Sequence, residues 1–153
     1  MSEAIAMIDW WEKFWEKPEL QSETAKILKR FVEETGKTAF YYSDVRRWYY
    51  GTGAFEEYGK DWHTIERLMR KLAELGYVAR YRVGRTVLFV LIPFDSTKHT
   101  INHYRAEYER AHALGDARWI NEIAKALAVE LNIDVDTARD VLRGQEVLEK
   151  WLQ

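Results

Sequence analysis

Between Asp61 and Pro93, in the stretch DWHTIERLMRKLAELGYVARYRVGRTVLFVLIP, the hydrophobic period of this chain changes from about four to two. Ile65, Leu68, Leu72 and Leu75 recur three or four residues apart, the stripe of a helix with one buried face. Gly76 stops the pattern. Beyond it Tyr77, Ala79, Tyr81 and Val83 alternate with Val78, Arg80 and Arg82, which predicts a strand. Gly84 and Arg85 fall where a hairpin must turn, and Thr86 to Ile92 supplies the return strand before Pro93. A helix feeding a hairpin with arginines at its tip suits contact with a polyanion.

The return strand adds a second constraint. Val87 to Ile92 are apolar without alternation, so both faces of that strand need cover. A hairpin lying on three helices alone would leave one face wet. The aromatic N-terminal segment, the segment after Phe94, or a second subunit can supply the missing layer.

At 153 residues, 47% of them hydrophobic, the chain can bury the core of one compact domain with appendages. No apolar run approaches the roughly 18 to 20 residues that span a bilayer, and the N-terminus lacks a secretory signal pattern. A cytoplasmic location without membrane partners is expected. The absence of cysteine excludes disulfides, thiolate nucleophiles and thiolate metal clusters. Scarce Asn and Gln beside abundant Arg, Glu, Tyr and Trp fits a thermophilic source.

A formal net charge of -2 argues against a histone-like nucleic-acid binder, but the charge is unevenly spread. Residues 1–21 and 94–153 each stand at -3, while residues 22–93 stand at +4. Lys60, Arg67, Arg70, Lys71, Arg80, Arg82 and Arg85, against Asp61, Glu66 and Glu74, account for that whole excess. The positive field therefore coincides with the helix and the hairpin, and acidic flanks would orient it toward phosphates.

Along the chain, Ala4 to Lys17 reads as a helix whose Ile5, Met7, Ile8, Trp10, Trp11, Phe14 and Trp15 need contact on two sides, closed by Pro18. It is either a dimer clasp or part of the core; its acidic polar residues have the wrong sign for an anionic membrane. Ser22 is placed to cap a helix with Ala25, Leu28, Phe31 and Val32 buried, ending before Gly36. Thr38 to Tyr42 suits a short strand, and Ser43 is placed to cap a helix from Asp44 to Tyr50. Gly51, Gly53 and Gly59 mark a loop. Phe40, Tyr41, Tyr42, Trp48, Tyr49, Tyr50, Phe55, Tyr58 and Trp62 crowd this region, as core or as a stacking platform. After Phe94 the pattern is helical throughout. Ile101, Tyr104, Tyr108, Ala111 and Leu114 form a narrow stripe suited to a partner helix. Asp116 caps a helix with Trp119, Ile120, Ile123, Leu127 and Leu131 inward, and Asp134 opens a last one, bent or broken at Gly144.

With that order, residues 22–93 resemble the winged helix-turn-helix family, on the strength of IERLMRKLAELGYV and the arginine-tipped ARYRVGRTVLFV. The link from Gly51 to Lys60 is longer and more aromatic than the family's usual tight turn. The resemblance implies a third helix lying in the DNA major groove, with Trp62, His63, Thr64, Glu66, Arg67 and Arg70 facing the bases. It also implies that Lys71 and the wing residues Arg80, Arg82 and Arg85 meet the backbone. Arg67 and Arg70 share a face opposite the apolar stripe, where one could contact guanine in bidentate fashion.

His99, His103 and Glu107, four apart on one helical face, are the candidate metal ligands; HTINH lacks the glutamate of an HExxH site, so they point to a metal-responsive sensor rather than catalysis. GTG at Gly51 to Gly53 lacks the lysine and spacing of a phosphate-binding loop, and no nucleophile elbow or carboxylate pair stands out. A non-enzyme without cofactor is expected.

The sequence thus predicts a mainly α fold with a small antiparallel β-hairpin wing (α+β): an N-terminal aromatic helix (1–21), a winged-helix domain (22–95) and a C-terminal helical segment (96–153) for dimerisation or core completion. The expected function is double-stranded DNA binding by a dimeric transcriptional regulator. A winged-helix scaffold within a replication, segregation or transcription assembly is the alternative, and a metal- or ligand-responsive sensor the third.

Overall fold

The computed structural model describes residues 12–148, a mainly helical α+β fold around one antiparallel sheet. Helical residues 12–15 and a short 3-10 turn, Pro18–Leu20, lead into α1 (Glu23–Thr35), β1 (Ala39–Tyr41), α2 (Tyr42–Gly51), α3 (Ala54–Tyr58) and α4 (Trp62–Glu74). The hairpin β2 (Val78–Val83) and β3 (Thr86–Leu91) follows, then α5 (Asp95–Ala113), α6 (Ala117–Leu131), α7 (Val135–Arg143) and β4 (Gln145–Glu146). The strand order is β1-β3-β2-β4, and every pairing is antiparallel.

β3 is the strand that both layers share. Phe89 pairs with Phe40 on one side and Arg80 on the other. Phe89 and Leu91 point into a first core with Phe31, Phe40, Tyr49, Ile65 and Leu72 from α1, β1, α2 and α4. Leu88 and Val90 point into a second core with Tyr81, Ile101, Ile123, Leu127 and Val141, from β2 and α5 to α7. All four are at most 2% exposed. The missing layer inferred from the unalternating strand is therefore supplied by the helices after Phe94. Phe14 and Trp15 join the first core; Ile5, Met7, Ile8, Trp10 and Trp11 lie outside the described residues, as do Trp151 and Leu152.

Three caps read from the sequence are present. Ser22 accepts from the Ala25 N–H at 3.1 Å, Asp116 from Trp119 at 3.0 Å and Asp134 from Thr137 at 3.0 Å. Other expectations are corrected. α2 starts at Tyr42 rather than after Ser43, because the Asp44 carboxylate reaches back to accept from the Tyr41 N–H at 3.0 Å. The glycine-marked loop holds the one-turn helix α3, entered and left through left-handed glycines, Gly53 at φ +88° and Gly59 at +66°. Leu75 lies beyond α4 and is 42% exposed, and Met69, 1% exposed, completes the stripe instead. Leu114 likewise lies past α5, at 74% exposure, while Ile101, Tyr104, Tyr108 and Ala111 face the second core.

The C-terminal segment is not helical throughout. α7 stops at Arg143, and Gly144 turns the chain into β4, which pairs Gln145 with Arg82 and Glu146 with Tyr81. A Cβ at Gly144 would stand 2.9 Å from the Asp140 carbonyl, 3.0 Å from Tyr81 Cβ and 3.1 Å from Val83 Cγ2, so only glycine lets the strand approach. Polar contacts tie the C-terminal elements to one another and, through Tyr41, to the first half. The Tyr41 hydroxyl donates to Asp140 at 2.6 Å, Arg105 donates to the Val141 carbonyl, and Lys98 pairs with Glu146. Arg105 and Lys98 also stand 4.7 and 5.3 Å from the centre of the Tyr81 ring.

Two predictions follow from this packing. Gly144→Ala should lower stability by about 1–3 kcal/mol through overpacking, read as a shift in the urea midpoint; an unchanged midpoint would mean that α7 and β4 yield freely. Burial raises the Tyr81 phenol with help from Glu146, and burial with Asp140 raises that of Tyr41. The folded chain therefore keeps these protons where the unfolded chain, ionising near about pH 10, has released them. Stability should be fully retained below that pH and fall as pH rises through it, and Tyr41→Phe should flatten the alkaline slope in thermal melts.

Candidate nucleic-acid interface

α4 is held before it is exposed. Trp62, Ile65, Met69 and Leu72 fall three or four apart and turn into the first core, against α1 and β2. The long link before α4 is pinned by one side chain: the buried Tyr49 hydroxyl donates to the Lys60 carbonyl at 2.7 Å and accepts from the Lys60 N–H at 3.0 Å. That link therefore delivers a defined helix start despite its length.

This placement corrects one expected contact. Trp62 is 7% exposed and belongs to the core stripe, because it lies three residues before Ile65 and seven before Met69. Its ring is covered by Arg46 of α2, whose guanidinium lies 5.9 Å from it and 5.9 Å from the Tyr50 ring. Arg46 was not among the residues singled out from sequence, although its neighbourhood, DVRRWYY, carries two adjacent arginines on a predicted helix.

The outer face of α4 carries His63, Arg67, Arg70 and Lys71 exposed, with Thr64 and Glu66 half-buried. Glu66 had the spacing to neutralise Arg70, but its carboxylate lies 3.4 Å from His63 Nδ1. Among the described residues Arg67, Arg70, Lys71, Arg82 and Arg85 make no salt bridge, whereas Lys37, Lys60, Lys98, Arg139 and Arg143 are all paired.

The hairpin turns over two residues between Val83 and Thr86, with Gly84 at φ +62°, the first position of a type II′ turn. Arg85 and Arg82 are exposed and Arg80 is half-buried. Arg80 and Arg82 stand on the face of β2 shared with Val78, which is the face that meets α4. Arg70 and Arg80 both act on the Tyr42 phenol, whose ring stacks edge-on to Phe89 at 4.7 Å. Burial raises that phenol, the two arginines oppose the rise and Glu66 adds to it. Arg70 of α4 and Arg80 of β2 thus act on one tyrosine.

No family model matches the chain, and no curated protein or solved structure matches it either.

The aromatic cluster is core for the most part. Phe40, Trp48, Tyr49 and Trp62 are buried, while Tyr50 and Phe55 surface at 42% and 37%, their rings 5.1 Å apart. The candidate metal site does not assemble. His103 Nε2 lies 3.4 Å from Glu107, and among the described residues no group of three or more His, Cys, Asp or Glu side chains could hold a metal, so His99 completes no site. No described helix is long and apolar enough to cross a membrane.

Core and surface on α4 separate by mutation. Trp62→Ala should cost about 3–5 kcal/mol in urea unfolding, while Arg67→Ala should stay within about 0.5 kcal/mol. Equal costs would contradict the assignment of the two faces.

Proposed function

We propose that this chain binds double-stranded DNA as a cytoplasmic transcriptional regulator, with α4 in the major groove and the hairpin on the backbone, in the manner of winged helix-turn-helix proteins. The observation that carries the reading is that α4 and the hairpin hold five exposed cations without salt bridges among the described residues, Arg67, Arg70, Lys71, Arg82 and Arg85, close together in the chain. Solvated charges held apart from their own acids keep their field for an external polyanion. The element order α1, β1, α2, α4, β2, β3, interrupted by α3, supports the reading.

In this mechanism the outer face of α4 enters a groove about 12 Å wide, which admits one helix. Arg67 and Arg70 are the base readers, with His63, Thr64 and Glu66 beside them; Lys71, Arg82 and Arg85 neutralise phosphates. Trp62 anchors the helix. Arg80, half-buried near Tyr42 and Arg70, ties the wing to α4 more than it reaches outward. A palindromic site would require a homodimer. The α5 stripe that suggested a partner helix faces the chain's own second core, so the two-fold surface must lie elsewhere. The apolar β3 that a scaffold could have offered for docking is covered by the chain's own two cores.

In mobility-shift titrations, Arg67→Ala or Arg70→Ala should lower discrimination between sites by about 1–3 kcal/mol. Arg85→Ala should weaken all sites about equally and reduce the salt slope by roughly one. If a combined Arg82, Arg85 substitution left affinity and salt dependence unchanged, the hairpin would not be a wing on DNA.

A further inference from the structure

The outer face of α2 is a stripe that the proposed groove contact does not use. Ser43, Arg46, Arg47 and Tyr50 fall at helical spacing and are exposed, while Val45, Trp48 and Tyr49 turn into the first core. Asp44, the one carboxylate on α2, is drawn off the stripe: it accepts from the Tyr41 N–H and lies 3.4 Å from the Lys37 ammonium. Arg46 and Arg47 make no salt bridge among the described residues. Glu57 is held by Arg30, and Glu56 and Asp61, close enough to act on the Tyr49 phenol, form no salt bridge with either arginine. The stripe's polar groups, a serine hydroxyl, two guanidinium forks and a phenol, can all donate.

Tyr50 continues into a second exposed ring. Phe55 of α3 lies 5.1 Å from it, the two planes tilted by 49°. Both rest against the buried Tyr49, at 5.3 and 5.8 Å, and Tyr49 is fixed in turn by its two bonds to the Lys60 backbone. The rings are thus held from beneath. The link between them is small, and a Cβ built on Gly51 or Gly53 would meet nothing within 4 Å, so the space beside the rings is open. Exposed rings on a fixed base, next to guanidinium groups free of acids, match a polymer in which flat bases alternate with phosphates. A folded protein partner would call for aliphatic surface, and the stripe carries none.

We propose that this face of α2 and α3 binds single-stranded nucleic acid, successive bases stacking on Tyr50 and Phe55 and their phosphates meeting Arg46 and Arg47. The site does not rest on the groove reading of α4. Where that reading also holds, Arg46 lies over Trp62 at the start of α4, so the two surfaces adjoin and a duplex carrying unpaired bases would span both.

Fluorescence anisotropy of the full chain with a labelled oligothymidine of about twelve nucleotides, and with an abasic strand of equal length, tests the site. The oligothymidine should bind saturably and the abasic strand at least about fivefold more weakly, since it keeps the phosphates and loses the stacking. Tyr50→Leu and Phe55→Leu, which keep apolar bulk and remove the ring face, should each cost about fivefold or more without moving the urea midpoint. Arg47→Gln should lower the salt slope by about 0.7. An oligouridine run in parallel assigns the strand as RNA where it binds more tightly and as DNA where it does not, and either result supports the site. Single-strand binding with no binding of a blunt duplex would also support it, while sinking the groove reading. Absence of saturable binding would overturn the proposal, as would equal affinity for the abasic strand or indifference to both leucine variants. Competition by a polyglutamate peptide as effective as the oligothymidine would assign the face to an acidic protein and overturn it too.

Discussion

The structure depends on keeping both faces of β3 dry. Phe89 and Leu91 on one face and Leu88 and Val90 on the other are too apolar for either to meet water, and at about 1.5–3 kcal/mol for each fully buried side chain the two faces weigh comparably. Satisfying the first face requires α1, α2 and α4. Satisfying the second requires α5 to α7, so the chain after Phe94 folds back onto the sheet. The Tyr41–Asp140 hydrogen bond then ties β1 to α7, and the Lys98–Glu146 pair ties α5 to β4. Gly144 completes the arrangement by admitting β4 against Tyr81 and Val83.

That constraint leaves the basic surface where it is. With Trp62, Ile65, Met69 and Leu72 committed to the core, a helix of 3.6 residues per turn has no choice but to turn Arg67, Arg70 and Lys71 outward. The same logic acts on β2, where Val78 is drawn inward and Arg82 emerges on the same face. Tyr49, buried but bonded twice to the Lys60 backbone, sets where α4 begins. The surface is thus mounted on a packed layer, as a binding face needs in order to hold its side chains in register.

Much of this was legible in the residues. The change of period at Gly76, the two-residue turn at Gly84 and the caps at Ser22, Asp116 and Asp134 are local signals, and the structure keeps them. The two-faced strand was legible as a demand for cover, though not as to which segment meets it, because apolar periodicity names a buried face without naming its partner. Trp62 was misread: an aromatic residue at a helix start looks the same whether it faces a groove or a core, and only the alignment with Ile65 and Met69 decides. Ser43 lost its place to Asp44 because one carboxylate reaching back outweighs a nearby hydroxyl. β4 was invisible, since two residues carry no period. The metal candidate failed because shared helical spacing brings side chains to one face without bringing them to one point.

Selection of bound duplexes from a random pool at fixed low salt, with the enriched duplex and a scrambled one then titrated at two salt concentrations, tests the central claim that this face reads DNA. One enriched motif is expected, with an affinity at least about a thousandfold above that for the scrambled duplex and weakening of both as salt rises. A pool that emerges unenriched, with binding absent or indifferent to salt, would contradict it.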